Sequence, residues 1–308
     1  MMIFEPLLLE AQQRIAFWNV ENYFDTYDDP RKEDEDFTPT GSNHWNKARY
    51  EKKRNDIAKT IAAMGVPDVV GMVEVENRRV LQDLCMGAPL RKMNYGIVHF
   101  ESPDVRGIDC ALIYRKKRVR LLSSRAFCVS DTTRGYRVRD ILMAQLLMNA
   151  GDTLYCFVCH LPSRRGGEKS ERRRYAMARS VVHLMDSVAK RHPGCNVLAM
   201  GDFNAYPEEV ARFIKGKPIH SLMSPSAKTN GSYFYKGHWQ LLDHMIAVTT
   251  AKTRAICANV FVSDFLIEKT GRRGNGKPYR TYLGDRYHGG ISDHLPIYVD
   301  WRTGKTAD

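Results

Sequence analysis

The chain has 308 residues, 43% hydrophobic and 27% charged, an ordinary composition for a globular protein with a sizeable core. No segment approaches the roughly 20 consecutive apolar residues of a membrane-spanning helix, so no stable membrane association is expected. The formal charge of +12 and pI near 9.4 favour a polyanionic partner such as nucleic acid, anionic lipid or inositol phosphates, although a basic surplus also serves solubility alone.

Residues 1–13 read as a tail. The apolar run of MMIFEPLLLEAQQ lacks a basic leader and is broken by Glu5 and Pro6, which favours a cytoplasmic address; the remnant of a secretory signal is the other reading. A strand is predicted over Arg14–Asn19, followed by an acidic stretch from Asp25 to Asp36 that reads as a solvated loop. Tyr50, Ile57, Ile61 and Met64 share one face of a helix expected over Asn46–Met64, with Lys and Arg on the other face and Gly65 and Pro67 ending it. Asp68–Glu74 suits a strand buried on both faces, with Glu74 emerging at its carboxyl end.

A short helix is expected over Arg78–Met86, then strands near Tyr95–Phe100, Asp109–Tyr114, Val119–Ser123, Asp140–Met148 and Thr153–His160. Several follow one another without room for a crossover helix, so much of the sheet must be antiparallel. Within the last of them, Cys156 and Cys159 point to opposite faces and cannot grip one ion. Seven scattered cysteines, an odd number, read as reduced thiols. Glu171–Arg191 is the longest predicted helix, with Arg172, Arg173, Arg174 and Arg179 off its apolar face. Beyond it come a strand at Asn196–Met200, a helix after Pro207, and strands near His244–Val248, Ala258–Val262 and Leu295–Trp301. Nothing resembling a linker divides the chain, so one domain is expected over 14–302, with 303–308 a second tail, in a monomer.

Asn19, Glu74, Asp109, His160, Asp202, Asn204, Asp243, Asp293 and His294 each stand at the end of a predicted strand. Such ends share a rim in a layered sheet protein, and polar residues there can converge on one pocket. The sharpest motifs are Gly201-Asp202-Phe203-Asn204 and Ser292-Asp293-His294-Leu295-Pro296, joined by Asn19-Val20-Glu21-Asn22 and Glu74-Val75-Glu76. Gly-Asp-x-Asn alone also makes an ordinary Asx turn. Together and in this order, the motifs closely resemble the endonuclease/exonuclease/phosphatase superfamily, most nearly its bacterial endonuclease-like members, which share a Pro-Ser-Arg-x-Gly-Gly pattern with Pro162–Gly167.

The resemblance implies a two-sheet α/β sandwich of the deoxyribonuclease I type, with helices on the outer faces and a cleft along one rim. It implies a Mg²⁺ (or Mn²⁺) held by the hard oxygens of Asn19, Glu74 and Asp293. Asp202 would accept a proton from the attacking water and Asn204 would donate to a phosphoryl oxygen. His160 and His294 would form dyads with Asp109 and Asp243 respectively. Arg164 and Arg165 are candidates to fork onto phosphate, or they form a solvated basic helix start. Arg280 belongs to a loop, Gly271–Gly290, in which Arg272, Arg273, Lys277 and Arg286 alternate with Tyr279, Tyr282 and Tyr287; it either holds a nucleic-acid strand or packs on itself. The implied reaction is phosphodiester hydrolysis, with nucleic acid the preferred substrate, an inositol phosphate or sphingomyelin the alternative, and a non-catalytic binding module the rival of another class.

Overall fold

Ile15, Phe17, Val69, Val70, Met72 and Val73 are fully buried, as central strands covered on both sides must be. They belong to the first of two sheets in a computed structural model that describes residues 11–131, 136–149, 151–223, 231–255, 257–269, 276–284 and 286–303. That sheet runs in the order Thr253–Ala255, Ile297–Thr303, Ala11–Tyr23, Val69–Val75, Asp109–Arg115, Tyr95–His99, with Asn259–Val260 also paired to Ile297–Thr303. The second runs His220–Ser221, Asp243–Val248, Asn196–Asp202, Thr153–His160, Ile141–Met148, Val119–Phe127.

Each sheet has one parallel pair at its centre, Ala11–Tyr23 with Val69–Val75 and Thr153–His160 with Asn196–Asp202, while their other pairings are antiparallel. A parallel pair needs a crossover, and helices α1 (Lys47–Ala63) and α3 (Gly167–Arg191) supply the two. Shorter helices α2 (Arg78–Met86) and α4 (Pro207–Ile214) complete the outer layers. Asparagine side chains cap α1 and α2: Asn46 accepts from the Arg49 amide and Asn77 from that of Val80, both at 3.1 Å. The fold is the two-sheet α/β sandwich expected from the motifs.

Alternation along Thr153–His160 separates two cores. Leu154, Cys156 and Val158 face the first sheet, whereas Tyr155, Phe157 and Cys159 pack with Met177, Val181 and Met185 of α3. The two thiols are thus buried on opposite faces, and no disulfide joins any of the seven cysteines. Gly71 sits where the sheets approach: an added Cβ would meet Met200 Cε at 2.5 Å and Val158 at 3.1 Å. Among the described residues, no helix is long and apolar enough to cross a membrane.

Three elements depart from the sequence reading. The first strand starts at residue 11, because residues 11–13 pair with 303–301, and it continues past Asn19 to Tyr23. The predicted Val119–Ser123 strand runs on to Phe127 at the sheet's edge, where Arg120 and Arg125 need no buried face and leave no apolar alternation to read. The acidic stretch is not wholly solvated. Asp34 is buried and accepts from the Asp29 amide, while Asp25, also buried, accepts from the Tyr27 amide at 2.7 Å and from Asn77 Nδ2 at 3.1 Å.

Candidate active site

Two interruptions of the first sheet aim its polar residues. The register of Ala11–Tyr23 against Val69–Val75 breaks between Asn19 and Tyr23, and that of Val69–Val75 against Asp109–Arg115 breaks between Val73 and Val75. Bulges of this kind turn a side chain out of the alternation that would bury it. Glu21, Asn22 and Glu74 adopt left-handed backbone there, with φ of 50°, 53° and 62°. For residues with a Cβ that geometry costs about 1 kcal/mol or more each, so the surrounding contacts must hold it. They do: the Asn22 amide donates to Glu74 Oε2 at 3.0 Å and Asn19 Nδ2 to Glu74 Oε1 at 3.3 Å.

Register alone assembles the second sheet's share. Asp202 lies directly beside His160 on one neighbouring strand and beside Asp243 on the other. Gly201 admits this closeness, since an added Cβ would lie 2.3 Å from the Cys159 carbonyl oxygen. The Asn204 amide donates to Asp202 Oδ1 at 2.9 Å, closing an Asx turn with Asn204 at φ 47°.

Asp202, 2% exposed, is the hub. Its Oδ2 accepts from Asn19 Nδ2 at 3.2 Å and stands 3.5 Å from His160 Nε2 and 3.8 Å from His294 Nε2. The other ring nitrogen of His294, Nδ1, lies 2.7 Å from Asp243 Oδ2, which also accepts from the Ser232 hydroxyl. His294 therefore bridges two buried carboxylates. Its turn is bolted to the first sheet: Ser292 Oγ accepts from the His294 amide and donates to the Asn19 carbonyl, and Trp18 Nε1 donates to the His294 carbonyl.

Burial opposes a charge on His294, but Asp243 and Asp202 outweigh it and raise the imidazole well above its ordinary value. Burial raises Asp202 more than His294 lowers it, so this carboxyl is a far stronger base than a solvated aspartate. His160 goes the other way: burial, with Arg139, Arg106 and His294 adding to it, holds the ring neutral. Burial also disfavours charge on Glu74, yet Arg106 and His294 overcome it and keep the group ionised below the usual range.

Several expected partnerships are absent. Asp109 does not orient His160. Its Oδ2 lies 3.1 Å from His99 Nε2 and its Oδ1 accepts from the Ser102 amide at 2.8 Å, because His99 is its diagonal neighbour on the adjacent strand. His160 Nδ1 is buried with no hydrogen-bond partner among the described residues. Asn19 turns its amide nitrogen toward Glu74 and Asp202 and ties these carboxylates together, while its oxygen accepts from the Glu21 amide at 3.0 Å and keeps a second lone pair. One amide hydrogen of Asn204 is committed to the Leu161 carbonyl at 3.0 Å. Arg164 bonds Glu209 at 2.7 Å and the Asn204 carbonyl at 3.3 Å and stacks on Tyr206, a brace for the Asp202 turn; Arg165 is exposed beside it. Arg280 bridges Asp293 at 3.1 Å and Glu21 at 3.4 Å. In the loop around it the rings pack inward: Tyr282 lies against Phe37 and Trp45, Tyr287 under Arg49, and Tyr279 donates to the His288 carbonyl. Arg272 and Arg273 lie outside the described residues.

Sequence reasoning missed five participants. Glu21 and Lys53 are buried beside Asp293, and burial with Asp293 raises the Glu21 carboxyl. Arg139, also buried, donates to the His160 carbonyl at 3.2 Å and to Asp104 at 3.0 Å, while half-exposed Arg106 flanks Asp104 and acts on both Glu74 and His160. Tyr233 covers His294 at 4.7 Å between ring centres. Glu21 had a signal in its place inside Asn19-Val20-Glu21-Asn22, and Lys53 had one in falling on the helix face that Tyr50 and Ile57 share; a lone Arg or Tyr has none.

The donor set suits a hard divalent cation. Glu21, Glu74 and Asp293 bring three carboxylates to one mouth, with Lys53 and Arg280 offsetting Glu21 and Asp293 and Arg106 and His294 offsetting Glu74, and carboxylate oxygen is what Mg²⁺ or Mn²⁺ prefers. Two tighter groups, Asp202 with Asp243 and His294, and His99 with Glu101 and Asp109, have ligand atoms within 4.8 Å of one another. Both are explained as hydrogen-bonded His–carboxylate pairs.

Behind the Asp202 turn, His244 packs edge-on to Phe203 and reaches the Ala205 carbonyl at 2.9 Å. Burial lowers its pKa below that of a solvated histidine. A lowered histidine contributes stability that is present above the unfolded value near 6.5 and lost as pH falls, because the unfolded chain then binds the extra proton. The melting temperature of the wild type is expected to fall below pH 6.5 more steeply than that of His244→Gln, measured across pH 5 to 8; parallel curves would refute this.

Comparison with known proteins agrees with the geometry. The pattern of the endonuclease/exonuclease/phosphatase family matches residues 14–303. The human Nocturnin catalytic domain, solved with a bound sulfate anion, is 19% identical with a TM-score of 0.63, covering 96% of this chain and 96% of that one. D. rerio TDP2 complexed with a single-strand DNA product is 19% identical at a TM-score of 0.59, covering 96% of this chain and all (100%) of that one. The Bacteroides thetaiotaomicron mannosyl-6-phosphatase is 15% identical at 0.61, covering 94% and 99% respectively. No curated protein sequence matches. With its motifs on one rim of the sandwich and the family pattern spanning nearly its whole length, this chain belongs to the endonuclease/exonuclease/phosphatase family.

Proposed function

We infer that the protein is a metal-dependent phosphodiester hydrolase that cuts nucleic acid by in-line attack of water. The observation that carries this reading is Asp202 buried between His160, Asn19 and a His294 that Asp243 keeps charged. Family membership supports the coarser part, since members are generally metal-dependent phosphoesterases.

A phosphodiester resists water because its anionic oxygens repel the nucleophile and its leaving alkoxide is poor. Asp202, made basic by burial, takes the proton of the attacking water. His294, an imidazolium held by Asp243, donates to a phosphoryl oxygen and gains strength as charge builds there. Neutral His160 presents Nε2 to the same space, and Arg106 and Arg165 extend positive charge outward. Glu74 and Asp293, with Glu21 behind them, would hold Mg²⁺ or Mn²⁺, which when bound supplies Lewis-acid stabilisation of the phosphoryl and leaving oxygens.

Nucleic acid is favoured by the +12 charge and by Tyr233 and Tyr235, stacked at 17° and reaching from His294 to the surface, where a base or sugar can lie. A small phosphate monoester is the second reading, favoured by the packing of Tyr279, Tyr282 and Tyr287 into their own loop and by the likeness to a mannosyl-6-phosphatase. Metal-stripped protein, with and without Mg²⁺, assayed on plasmid, abasic duplex, RNA, inositol phosphates, sugar phosphates and sphingomyelin separates them. Mg²⁺-dependent cleavage of a polynucleotide is expected; turnover of monoesters alone would replace the substrate, and metal-independent turnover would refute the mechanism.

A further inference from the structure

Helix α1 carries Lys52, Lys53 and Arg54 in succession, and an amphipathic helix normally keeps such residues in water. Lys53 is instead 2% exposed and is among the largest fully buried side chains. An ammonium taken out of water is costly unless each of its three donors finds an acceptor. All three do. Lys53 Nζ donates to the Glu21 carbonyl at 2.7 Å, to Thr281 Oγ1 at 2.7 Å and to the Ile291 carbonyl.

The acceptors lie on three segments remote in sequence, and each touches the carboxylate mouth. Glu21 is two residues past Asn19, in the left-handed turn whose next amide holds Glu74. Ile291 is two residues before Asp293. Thr281 follows Arg280, the bridge to Asp293, and its own amide donates to Glu21 Oε2 at 2.7 Å while its hydroxyl reaches the Ile291 carbonyl at 3.1 Å. Removing the ammonium would take this donor from the buried Glu21 carbonyl, leave the Ile291 carbonyl with the Thr281 hydroxyl, and leave the three segments joined at their exposed side by Arg280 without the buried tie beneath it.

We propose that Lys53 is a positioning residue: it locks the Glu21 turn, the Thr281 segment and the Ile291–His294 turn together, so that Glu74 and Asp293 are set at a fixed spacing for a divalent cation. The role rests on the phosphoesterase reading of the site. It is distinct from mere stabilisation, because a lysine that only held the fold would affect melting and not the cation affinity of the folded protein.

The test is direct Mn²⁺ binding, by electron paramagnetic resonance of free Mn²⁺, alongside melting temperature, kcat and KM. Lys53→Met keeps the length and removes the donors. Mn²⁺ affinity is expected to fall roughly ten- to a hundred-fold, in the range seen when groups supporting metal ligands are removed, with kcat falling more than KM rises. Thr281→Val, which keeps the lysine and its charge, is expected to weaken Mn²⁺ binding less, and Thr281→Ser to restore it, so the inference stays testable even if Lys53→Met does not fold. Unchanged Mn²⁺ affinity in the folded variants, beside a wild type that binds, would overturn the role of Lys53 alone. A wild type that neither binds Mn²⁺ nor cleaves any substrate would overturn the reading of the site itself, and this role with it.

Discussion

Asp202→Asn is expected to lower kcat by roughly 10²- to 10⁴-fold, the usual worth of a positioned proton acceptor, with little change in substrate binding. The amide keeps the shape, and its one oxygen can still accept from the Asn204 amide and close the turn, at the loss of the bond from Asn19, which its nitrogen then faces. What is lost is basicity. Burial makes ionised Asp202 costly, and a carboxyl raised in the folded state loses stability as pH climbs from its unfolded value through the raised one. The variant should therefore melt at or above the wild-type temperature at pH 8 while the two converge near pH 4. Single-turnover kinetics and a pH series of thermal melts check both halves, and a variant with full activity would remove Asp202 from the chemistry.

His294→Ala and Asp243→Asn form the second test, because the geometry makes them one device. His294 owes its charge to Asp243 at 2.7 Å, against the opposing effect of burial. Each substitution is expected to cost about 10²- to 10⁴-fold in kcat, and the double variant little more than the worse single one, since residues acting as a unit are not additive. Full additivity in a double-mutant cycle would show that Asp243 acts on something other than His294. Ser232 is the obvious candidate, its hydroxyl being the other donor to Asp243 Oδ2.

Much of the site was legible because it sits where strands end. Asp202 and Asp293-His294 follow or precede apolar runs that cannot be anything but buried strands, and a polar residue at such a boundary must emerge at a rim. Asp109 was equally well placed, yet whether it met His160 or His99 depended on which strand lay beside it. The sequence places no strand beside another, and the structure set Tyr95–His99 there. Lys53 was passed over for a different reason: it falls three residues after Tyr50 and four before Ile57, on the face that α1 buries, but a lysine there reads as solvated until the Ile291 segment, 238 positions away, is seen to supply an acceptor. The bulges at 20–22 and at Glu74 left no trace in composition, since left-handed backbone was carried by Glu and Asn where glycine would have announced it.

The bonds that close this site span the chain. Asn19 reaches Asp202 across 183 positions, Lys53 reaches Ile291 across 238, and Trp18 reaches the His294 carbonyl across 276. Loops of that length close late, after local contacts have formed: the first bond needs the two sheets stacked, and the other two need the segment leading into the final strand docked on the first sheet. A newly made chain therefore carries its reactive carboxylates apart for most of its folding, and hydrolytic competence arrives only with the last long-range closure.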